Sequence, residues 1–241
     1  MNAGTLTRPA TSDPGEVDRR FLAYAAHELR DSIALPRTLA EVALADPSAD
    51  TAALRKMGER VVAACERQER LLEALLAVSR SGCGRLRQEF VDLAATAAEV
   101  LCAHDHHGLR CTTALAPART IGDPQLIERL VANLVANAVR HNIPGGRLDV
   151  ATYTAAGRAI FTIANTGPLI PAGELPLLFQ PFQRLHSHAG SATDGLGLGL
   201  AIVQAIATSH DATLTAAPQT GGGLGIDIGF PAENPAKTAR A

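Results

Sequence analysis

The sequence predicts an α+β protein in which a helical hairpin, forming a four-helix bundle on dimerisation, precedes an α/β sandwich. Three observations support this fold class. Apolar residues repeat at heptad spacing in the first third of the chain, the segment SGCG is typical of a flexible hinge, and short strands mixed with helices follow it. We therefore expect a disordered or linker segment at 1–16, the hairpin and hinge at 17–84, the sandwich at 85–231, and a disordered tail at 232–241.

Two long helices are predicted between Val17 and about Arg80. The first keeps its heptad spacing until Pro36, and the turn ADPSADT supplies Asp and Ser residues as helix caps. The second has a seam with a single polar member, made of Leu54, Met57, Val61, Ala64, Gln68, Leu71, Leu75 and Val78. Because a hairpin with such narrow seams cannot bury both faces alone, we expect a homodimer through residues 17–80. A dimerisation stalk without chemistry of its own would have the same pattern.

The sandwich is predicted from short strands and capped helices. Asp92 and Asp123 are expected N-caps, with Pro124 at the first helical position, for helices that end near Asp105 and His141. A third helix is expected at about 198–209. One strand is expected to end at Val91. Six more are expected near residues 109–115, 118–122, 148–154, 159–164, 212–217 and 224–230. The strands near 148–154 and 159–164 are expected to form a hairpin.

Composition argues against several classes of function. A net charge of −2, the absence of Trp and an aromatic content of 3% disfavour binding to nucleic acid or to an anionic membrane surface. No apolar run approaches the roughly 18 residues that a membrane span needs, so we expect a soluble, cytoplasmic chain. The four cysteines are scattered without a CxxC pair, which favours plain thiols over a zinc site.

The first of four motifs is FLAYAAHELRDS at residues 21–32. His27 lies beside the predicted seam residue Ala26, with Glu28 as its neighbour and Asp31 one turn further on. A neutral imidazole nitrogen is a nucleophile, and an adjacent carboxylate can orient the ring and take its proton. Taken alone, a helical histidine beside acidic residues is usually a solvated surface residue.

The second motif is ERLVANLVANAVRHN at residues 128–142. It places Asn133 and Asn137 one turn apart, followed by Arg140 and His141. Asparagine is unfavourable inside a helix, so two on one face need a reason. The amide oxygen of Asn137 is a suitable Mg²⁺ ligand and Arg140 suits phosphate oxygens, whereas an exposed polar stripe is the alternative interpretation.

Glycine-containing turns form the third and fourth motifs. IANTGPLIP ends a strand at Asn165 and continues into Gly167, which alone is typical of an ordinary turn. DGLGLGLAIV places Gly195, Gly197 and Gly199 before a helix, so that bare amides and the helix N terminus can meet phosphate groups. The fourth motif lacks both the GKS or GKT of a Walker loop and the spacing of a dinucleotide-binding fingerprint.

In this order and spacing, the motifs resemble the sensor histidine kinase family from Val17 to Pro231. The matching segments are the H box at 27–30, the N box at 133–142, the first glycine box at 165–167, the F box at 178–184, the second glycine box at 195–200 and the late glycine turn at 221–223. The resemblance implies a dimerisation and phosphoacceptor hairpin joined to an ATP-binding sandwich of the Bergerat type. It implies an enzyme that autophosphorylates His27 and passes the phosphoryl group to an aspartate in the receiver domain of a response regulator.

The resemblance also implies roles for individual residues. His27 would be phosphorylated with Glu28 as its base, Asn137 would hold Mg²⁺, and Asn165 would contact adenine. Residues 185–194 would form a mobile ATP lid. The implied ATP-binding set is Asn133, Asn137, Arg140, His141, Asn165, Gly167, Arg184, Gly195, Gly197, Gly199 and Leu200.

Three positions depart from the family pattern. Asn165 stands where aspartate is usual; a neutral amide accepts more weakly and, by rotating, can offer its NH₂ group to guanine. We therefore expect modest ATP affinity, poor discrimination against GTP, and tighter ATP binding by Asn165→Asp. Asp31 and Ser32 replace the usual Thr or Asn and then Pro, at a site that the family links to dephosphorylation of the partner. Leu169 replaces a usual glycine.

Two other functions fit the same sandwich. ATP-driven clamps and chaperones carry a water-activating Glu one turn before the Mg²⁺ ligand, where this chain has Asn133, so we expect transfer to protein rather than to water. A degenerate scaffold that binds partners without catalysis is the other alternative, motivated by Asn165 and Asp31. A sensor segment, in a membrane or supplied by a partner, is expected outside this sequence.

Overall fold

The computed structural model describes residues 38, 41, 50–65, 86–106, 108–181, 183 and 197–233. The chain divides into two compact units, one of residues 9–78 and one of residues 79–241 together with residues 1–8. None of the helices within the described ranges combines the length and the apolar character that crossing a lipid bilayer requires.

The first unit contributes one described helix, α1, at residues 51–65. Its N terminus is capped by Asp50, whose Oδ1 atom accepts a 2.7 Å hydrogen bond from the Ala53 amide, as the composition of the turn predicts. Along the predicted seam, the exposed fraction of the residue is 42% at Leu54 and 1% at Ala64. The rest of the predicted hairpin, and with it the four-helix bundle, lies outside the described residues.

The second unit contains a five-stranded mixed sheet and a separate two-stranded sheet. Its strands are β1 Glu89–Asp92, β2 Arg110–Leu115, β3 Arg119–Gly122, β4 Arg147–Ala155, β5 Arg158–Asn165, β6 Thr213–Pro218 and β7 Leu224–Pro231. β1 pairs with β3. The larger sheet has the order β2-β4-β5-β7-β6; β2 and β4 are parallel, and the other neighbours are antiparallel.

Three helices, α2 Leu93–Ala103, α3 Pro124–Arg140 and α4 Gly199–Ser209, pack against the larger sheet. Burial alternates along β5, where Phe161 and Ile163 are buried and Thr162 between them is only half-buried. This alternation is expected when one sheet face is covered by helices and the other is not. The largest fully buried side chains are Phe161, Phe230, Leu93, Ile127, Leu130, Leu134, Leu148, Ile206 and Ile228. The result is the mixed α/β sandwich that the sequence predicts.

Local signals position the helices and turns of this unit. The Asp92 and Asp123 carboxylates cap α2 and α3, and Pro124 begins α3. Ala156 and Gly157 have φ angles of 49° and 72° in the two-residue turn that joins β4 to β5. The predicted strands and helices of the sandwich are confirmed to within two residues at their ends.

One element was not predicted from the sequence, a 3₁₀ helix at Ala172–Phe179. Its sequence contains Pro176, which lacks the N–H that a regular α-helix needs, so the segment has no clear helical pattern. The element ends at Phe179, a buried residue of the F box, and so anchors that motif in the core.

Candidate nucleotide-binding site

One edge of α3 is polar and forms the centre of the candidate site. The opposite side of the helix is buried in the core through Leu126, Ile127, Leu130, Val131, Leu134, Val135 and Ala138. Asn133 and Asn137 are half-buried, and Arg140 and His141 at the end of the helix are exposed. Burial of the apolar side therefore determines which side of α3 presents its amide groups.

The asparagines of this region differ in their hydrogen bonds. The Nδ2 group of Asn133 donates to the Arg129 carbonyl oxygen one turn back, at 3.0 Å. Asn142 makes the same kind of bond to Ala138, at 3.2 Å. Among the hydrogen bonds between described residues, none involves the side chain of Asn137. Its amide oxygen is therefore available to a ligand.

The N terminus of α4 lies beside Asn133. A Cβ atom placed on Gly199 would be 3.5 Å from Oδ1 of Asn133. The N-cap residue is Leu198, which has no polar side chain to satisfy the first amides, and Gly197 before it has a φ of 65°. The start of the helix is anchored by Leu200, which is buried. Uncapped amides and the helix dipole together favour an anion such as phosphate at this position.

The loop that follows β5 is held between two backbone segments. A Cβ atom on Gly167 would lie 2.7 Å from the carbonyl oxygen of His141, so no side chain fits there. From the other side, Gly223 has a φ of 106°, and a Cβ atom on it would collide with the carbonyl of Asn165. The Gly223 amide also donates to the Pro168 carbonyl at 2.9 Å. The end of α3 and the glycine turn before β7 thus fix the loop.

Side chains tie the same loop to the residues after α3. Oγ1 of Thr166 donates to Oδ1 of Asn142 at 2.6 Å and accepts from the Arg147 amide at 2.8 Å. The Nδ2 group of Asn142 donates to the carbonyls of Ala138 and Arg147 at 3.2 and 2.9 Å. The Asn165 residue is 7% exposed, and its Nδ2 group donates to the Thr166 carbonyl at 2.8 Å. Asn142, Thr166 and Asn165 therefore form one connected chain of hydrogen bonds.

The described part of the site consists mainly of neutral polar groups. Positive charge comes from the Arg140 guanidinium and from the dipole of α4. Among the described residues, two strand residues outside this set have raised pKa values. Burial raises the pKa of the Asp227 carboxyl on β7 and that of the Cys111 thiol on β2, where the negative charge of Asp149 adds to the effect.

The structure brings together several residues that the sequence analysis assigned to the site. Asn133 approaches Gly199, and the His141 backbone contacts Gly167. Asn137, Arg140, Asn165, Gly197 and Leu200 are also described, in the positions given above. Four assigned residues lie outside the described residues, together with the lid at 185–194: His27, Glu28, Arg184 and Gly195.

Sequence reasoning missed the contacts of Asn142 and Thr166. An asparagine just after a helix is an ordinary turn signal, and the sequence analysis gave Asn142 no role of its own although it ends the N box. Its partner Thr166 is 24 residues further along the chain. The pairing appears only when β5 is placed beside β4, because Thr166 then lies next to Arg147 at the start of β4.

We expect Gly223→Ala to lower the free energy of unfolding more than Gly221→Ala does. Both glycines have positive φ, 106° and 90°, so an alanine at either position costs about 1–2 kcal/mol of backbone strain. At Gly223 the new Cβ also collides with the Asn165 carbonyl, whereas at Gly221 nothing lies within 4 Å. Urea denaturation of both variants measures the difference. Equal losses would mean that contact with Asn165 does not constrain the glycine turn.

Part of the chain that includes most of this site matches a known protein family. Residues 122–234 match the family described as histidine kinase-, DNA gyrase B-, and HSP90-like ATPase. Over 218 residues the chain is 38% identical to the Sensor protein CutS of Streptomyces coelicolor, a match that covers 88% of this chain and 52% of CutS. The chain thus spans about half the length of the curated relatives that it matches.

Solved structures give the same result. The mycobacterial sensor histidine kinase MprB is 29% identical, with a TM-score of 0.54 over 61% of this chain and 98% of that chain. The Acinetobacter baumannii histidine kinase AdeS, at 24% identity, has a TM-score of 0.67 over 86% of this chain and 98% of that chain, which supports the fold. The chain is therefore similar to sensor histidine kinases over most of its length, and its residues 122–234 match the family described as histidine kinase-, DNA gyrase B-, and HSP90-like ATPase.

Proposed function

We propose that this chain is an ATP-dependent protein-histidine kinase that autophosphorylates His27 and then passes the phosphoryl group to an aspartate of a response regulator. The observation that supports the proposal most is the meeting of three features in one ATPase-family domain. These are the half-buried Asn133 and Asn137 on α3, the loop that begins at Asn165, and the uncapped N terminus of α4. The match to CutS supports the proposal, because it extends beyond the ATPase domain to 88% of this chain.

The nucleotide would be held through its base at one end of the site and its phosphates at the other. Asn165 and Gly167 would contact adenine, and Arg140, His141, Asn133 and the amides of α4 would surround the phosphates. Arg184, Gly195 and the lid at 185–194 would complete the phosphate end. ATP carries several negative charges, which suits the uncapped helix N terminus and the exposed Arg140.

The residues fit a Mg²⁺ ion bound together with ATP. Mg²⁺ prefers oxygen ligands and usually takes few of them from the protein, the others coming from phosphates and water. The amide oxygen of Asn137, which makes no bond to another described residue, would be the protein ligand. When bound, the ion would neutralise charge on the phosphate oxygens during transfer.

The transfer itself would use the motif that begins at His27. The neutral imidazole nitrogen would attack the γ-phosphorus, so that an N–P bond forms while the P–O bond to ADP breaks. Glu28 would take the ring proton. A carboxylate oxygen of the response regulator would then attack the same phosphorus and release His27. Because ATP is supplied in the cytoplasm, we place the reaction there.

Asn133 disfavours the clamp or chaperone type of ATPase. Those enzymes need a base that activates water one turn before the Mg²⁺ ligand. An amide cannot serve as that base, and the Nδ2 group of Asn133 is used in its bond to Arg129. ATP turnover without transfer to protein would favour that alternative, and nucleotide binding without either reaction would favour a scaffold.

We also propose that the hairpin at residues 17–80 forms a homodimer with a four-helix bundle. The described seam residues support this proposal in part, since Ala64 is buried while Leu54 at the other end of α1 remains 42% exposed in the single chain. A second copy would cover such exposed seam residues.

Substitution of His27 tests the phosphoacceptor. We expect wild-type protein incubated with γ-labelled ATP and Mg²⁺ to acquire label that is lost in acid and kept in base, as for a phosphohistidine. His27→Gln should acquire none, because the amide is not a nucleophile at phosphorus. His104→Gln is the matched control and should label like wild type, since His104 is a half-buried residue at the end of α2. Undiminished label in His27→Gln would contradict the assignment.

Substitution of Asn137 tests the metal ligand. Loss of one ligand to a charged group corresponds to about 1.5–3 kcal/mol, so Asn137→Ala should weaken ATP binding roughly 10- to 100-fold in calorimetry with Mg²⁺. With EDTA the variant and wild type should bind ATP alike. Gln125→Ala, an exposed amide on the same helix, is the matched control and should behave like wild type. An unchanged affinity of Asn137→Ala for ATP in the presence of Mg²⁺ would mean that another residue binds the metal.

Light scattering tests the dimer. Burial of a leucine side chain contributes about 1.5–3 kcal/mol, so the double change Leu71→Lys and Leu75→Lys should convert a micromolar dimer into a monomer. Val62→Lys is the control, because Val62 is 58% exposed and lies off the seam. A wild-type monomer at micromolar concentration would refute the proposed dimer.

A further inference from the structure

One histidine is buried where α4 ends. His210 follows the last residue of α4, and the residue is 8% exposed. Its Nε2 atom accepts a 3.1 Å hydrogen bond from the backbone N–H of Asp123. Because an N–H group can only donate, Nε2 carries no hydrogen and the ring hydrogen lies on Nδ1. Nδ1 in turn donates to the Ile206 carbonyl at 2.8 Å, one turn back in α4. Both ring nitrogens are therefore bonded within the protein.

The ring of His210 has little room to move. A Cβ atom on Gly122, the residue before Asp123, would lie 2.6 Å from Cδ2 and 3.0 Å from Nε2 of the ring. The ring also meets Phe230 of β7 edge to face, with ring centroids 6.0 Å apart and an angle of 81° between the planes. The end of β3 and the core strand β7 thus enclose the ring and keep Nε2 directed at the Asp123 amide.

The bond between Asp123 and His210 joins the two helices that form the candidate site. Asp123 is the N-cap of α3, and its Oδ1 atom accepts hydrogen bonds from two amides of the first turn, at 3.1 and 3.3 Å. The end of α4 is therefore attached to the start of α3. The start of α4 lies further along α3, where Gly199 approaches Oδ1 of Asn133. The two helices consequently run in opposite directions, and both ends of α4 lie beside α3.

The two contacts are equally far apart on the two helices. Ten residues separate Asp123 from Asn133 on α3, and ten separate Gly199 from Ser209 on α4. At a rise of 1.5 Å per residue, each stretch is about 15 Å long. Between these contacts the helices pack through buried apolar side chains, and the hydrophobic effect that holds such side chains together is not directional. A hydrogen bond, in contrast, has a defined length and direction.

We propose that His210 is a positioning residue for the phosphate-binding end of the site. Through its bond to the Asp123 amide it sets where α4 lies along α3, and so it places the first amides of α4 beside Asn133. An N–H group binds a phosphate oxygen at about 2.7–3.2 Å, so a shift of α4 by about 1 Å would break such bonds. The inference rests on the proposed function, in which the start of α4 binds phosphates.

Three substitutions of His210 test this role. His210→Phe keeps a ring without nitrogens, and His210→Asn keeps a donor for Ile206 on a side chain too short to reach Asp123. Both leave the Asp123 amide unpaired. In His210→Gln the side-chain oxygen can occupy the position of Nε2, so the bond is kept. Thr152→Val is the matched control for stability, because it removes a buried hydrogen bond from Thr152 to the Ala116 carbonyl, on β4 rather than on either helix.

The first measurement is the NMR spectrum of the full chain without nucleotide. His210→Phe and His210→Asn should shift the amide resonances of Gly199 and Leu200, at the other end of α4 and about 15 Å away, whereas His210→Gln should leave them near their wild-type positions. Thr152→Val should lower the free energy of unfolding in urea without moving these resonances. Unchanged resonances of Gly199 and Leu200 in either folded variant, Phe or Asn, would overturn the inference. This outcome does not depend on the proposed function, because no nucleotide is present.

The second measurement is calorimetric titration of the same proteins with ATP and Mg²⁺. A hydrogen bond to a charged group corresponds to roughly 10- to 150-fold in affinity, so His210→Phe and His210→Asn should bind ATP more weakly by about this factor. His210→Gln and Thr152→Val should bind ATP like wild type. Shifted resonances with an unchanged ATP affinity, or an equal loss of affinity in Thr152→Val, would overturn the inference and leave the proposed function intact. Failure of wild type to bind ATP would overturn the proposed function and this inference with it.

Discussion

Three backbone segments meet at Gly167: the end of α3, the end of β5 and the glycine turn before β7. They approach so closely that neither Gly167 nor Gly223 has room for a Cβ atom. This contact determines where β5 ends and therefore where the polar groups of Asn165 and Thr166 lie. It also fixes the end of α3, which carries Asn137 and Arg140, relative to the loop.

The helices α3 and α4 contribute different groups to the candidate site. One side of α3 is buried in the core, and its other side carries the amides and the guanidinium that would meet phosphates and metal. α4 presents uncapped amides beside Asn133, with Leu200 buried directly behind them. In the proposed function, a base-binding end beside this contact would be joined to a phosphate-binding end, and the proposed lid and catalytic motif lie outside the described residues. Such a division suits a kinase, because the base must be held while the phosphoryl group leaves.

Much of the sandwich could be predicted from its sequence because its signals are local. Asp92, Asp123 and Pro124 cap helices within a few residues of themselves, and alternating burial marks β4 and β5. The 3₁₀ helix at Ala172–Phe179 escaped prediction because Pro176 interrupts any helical period. The parallel pairing of β2 with β4 depends on a crossover through β3 and α3, which spacing alone does not reveal.

The candidate site was predictable in its residue types but not in its connections. The asparagines of α3 and the glycines near α4 stand out in the sequence, because both are unfavourable for a regular helix. The Nδ2 group of Asn165 donates to the Thr166 carbonyl, and the hydroxyl of the same threonine donates to Asn142 beyond the end of α3. Such hydrogen bonds between distant residues have no sequence signature, so the sequence alone left the partners of the Asn165 amide open.

The most direct test of the site is the structure of the full chain with a non-hydrolysable ATP analogue and Mg²⁺. We predict that the adenine amino group lies within about 3 Å of Oδ1 of Asn165 while Nδ2 remains bonded to the Thr166 carbonyl. The phosphates should lie at the N terminus of α4, with the metal at Asn137. Adenine bound away from Asn165, or an Asn165 side chain turned so that Nδ2 faces the ligand, would contradict this prediction.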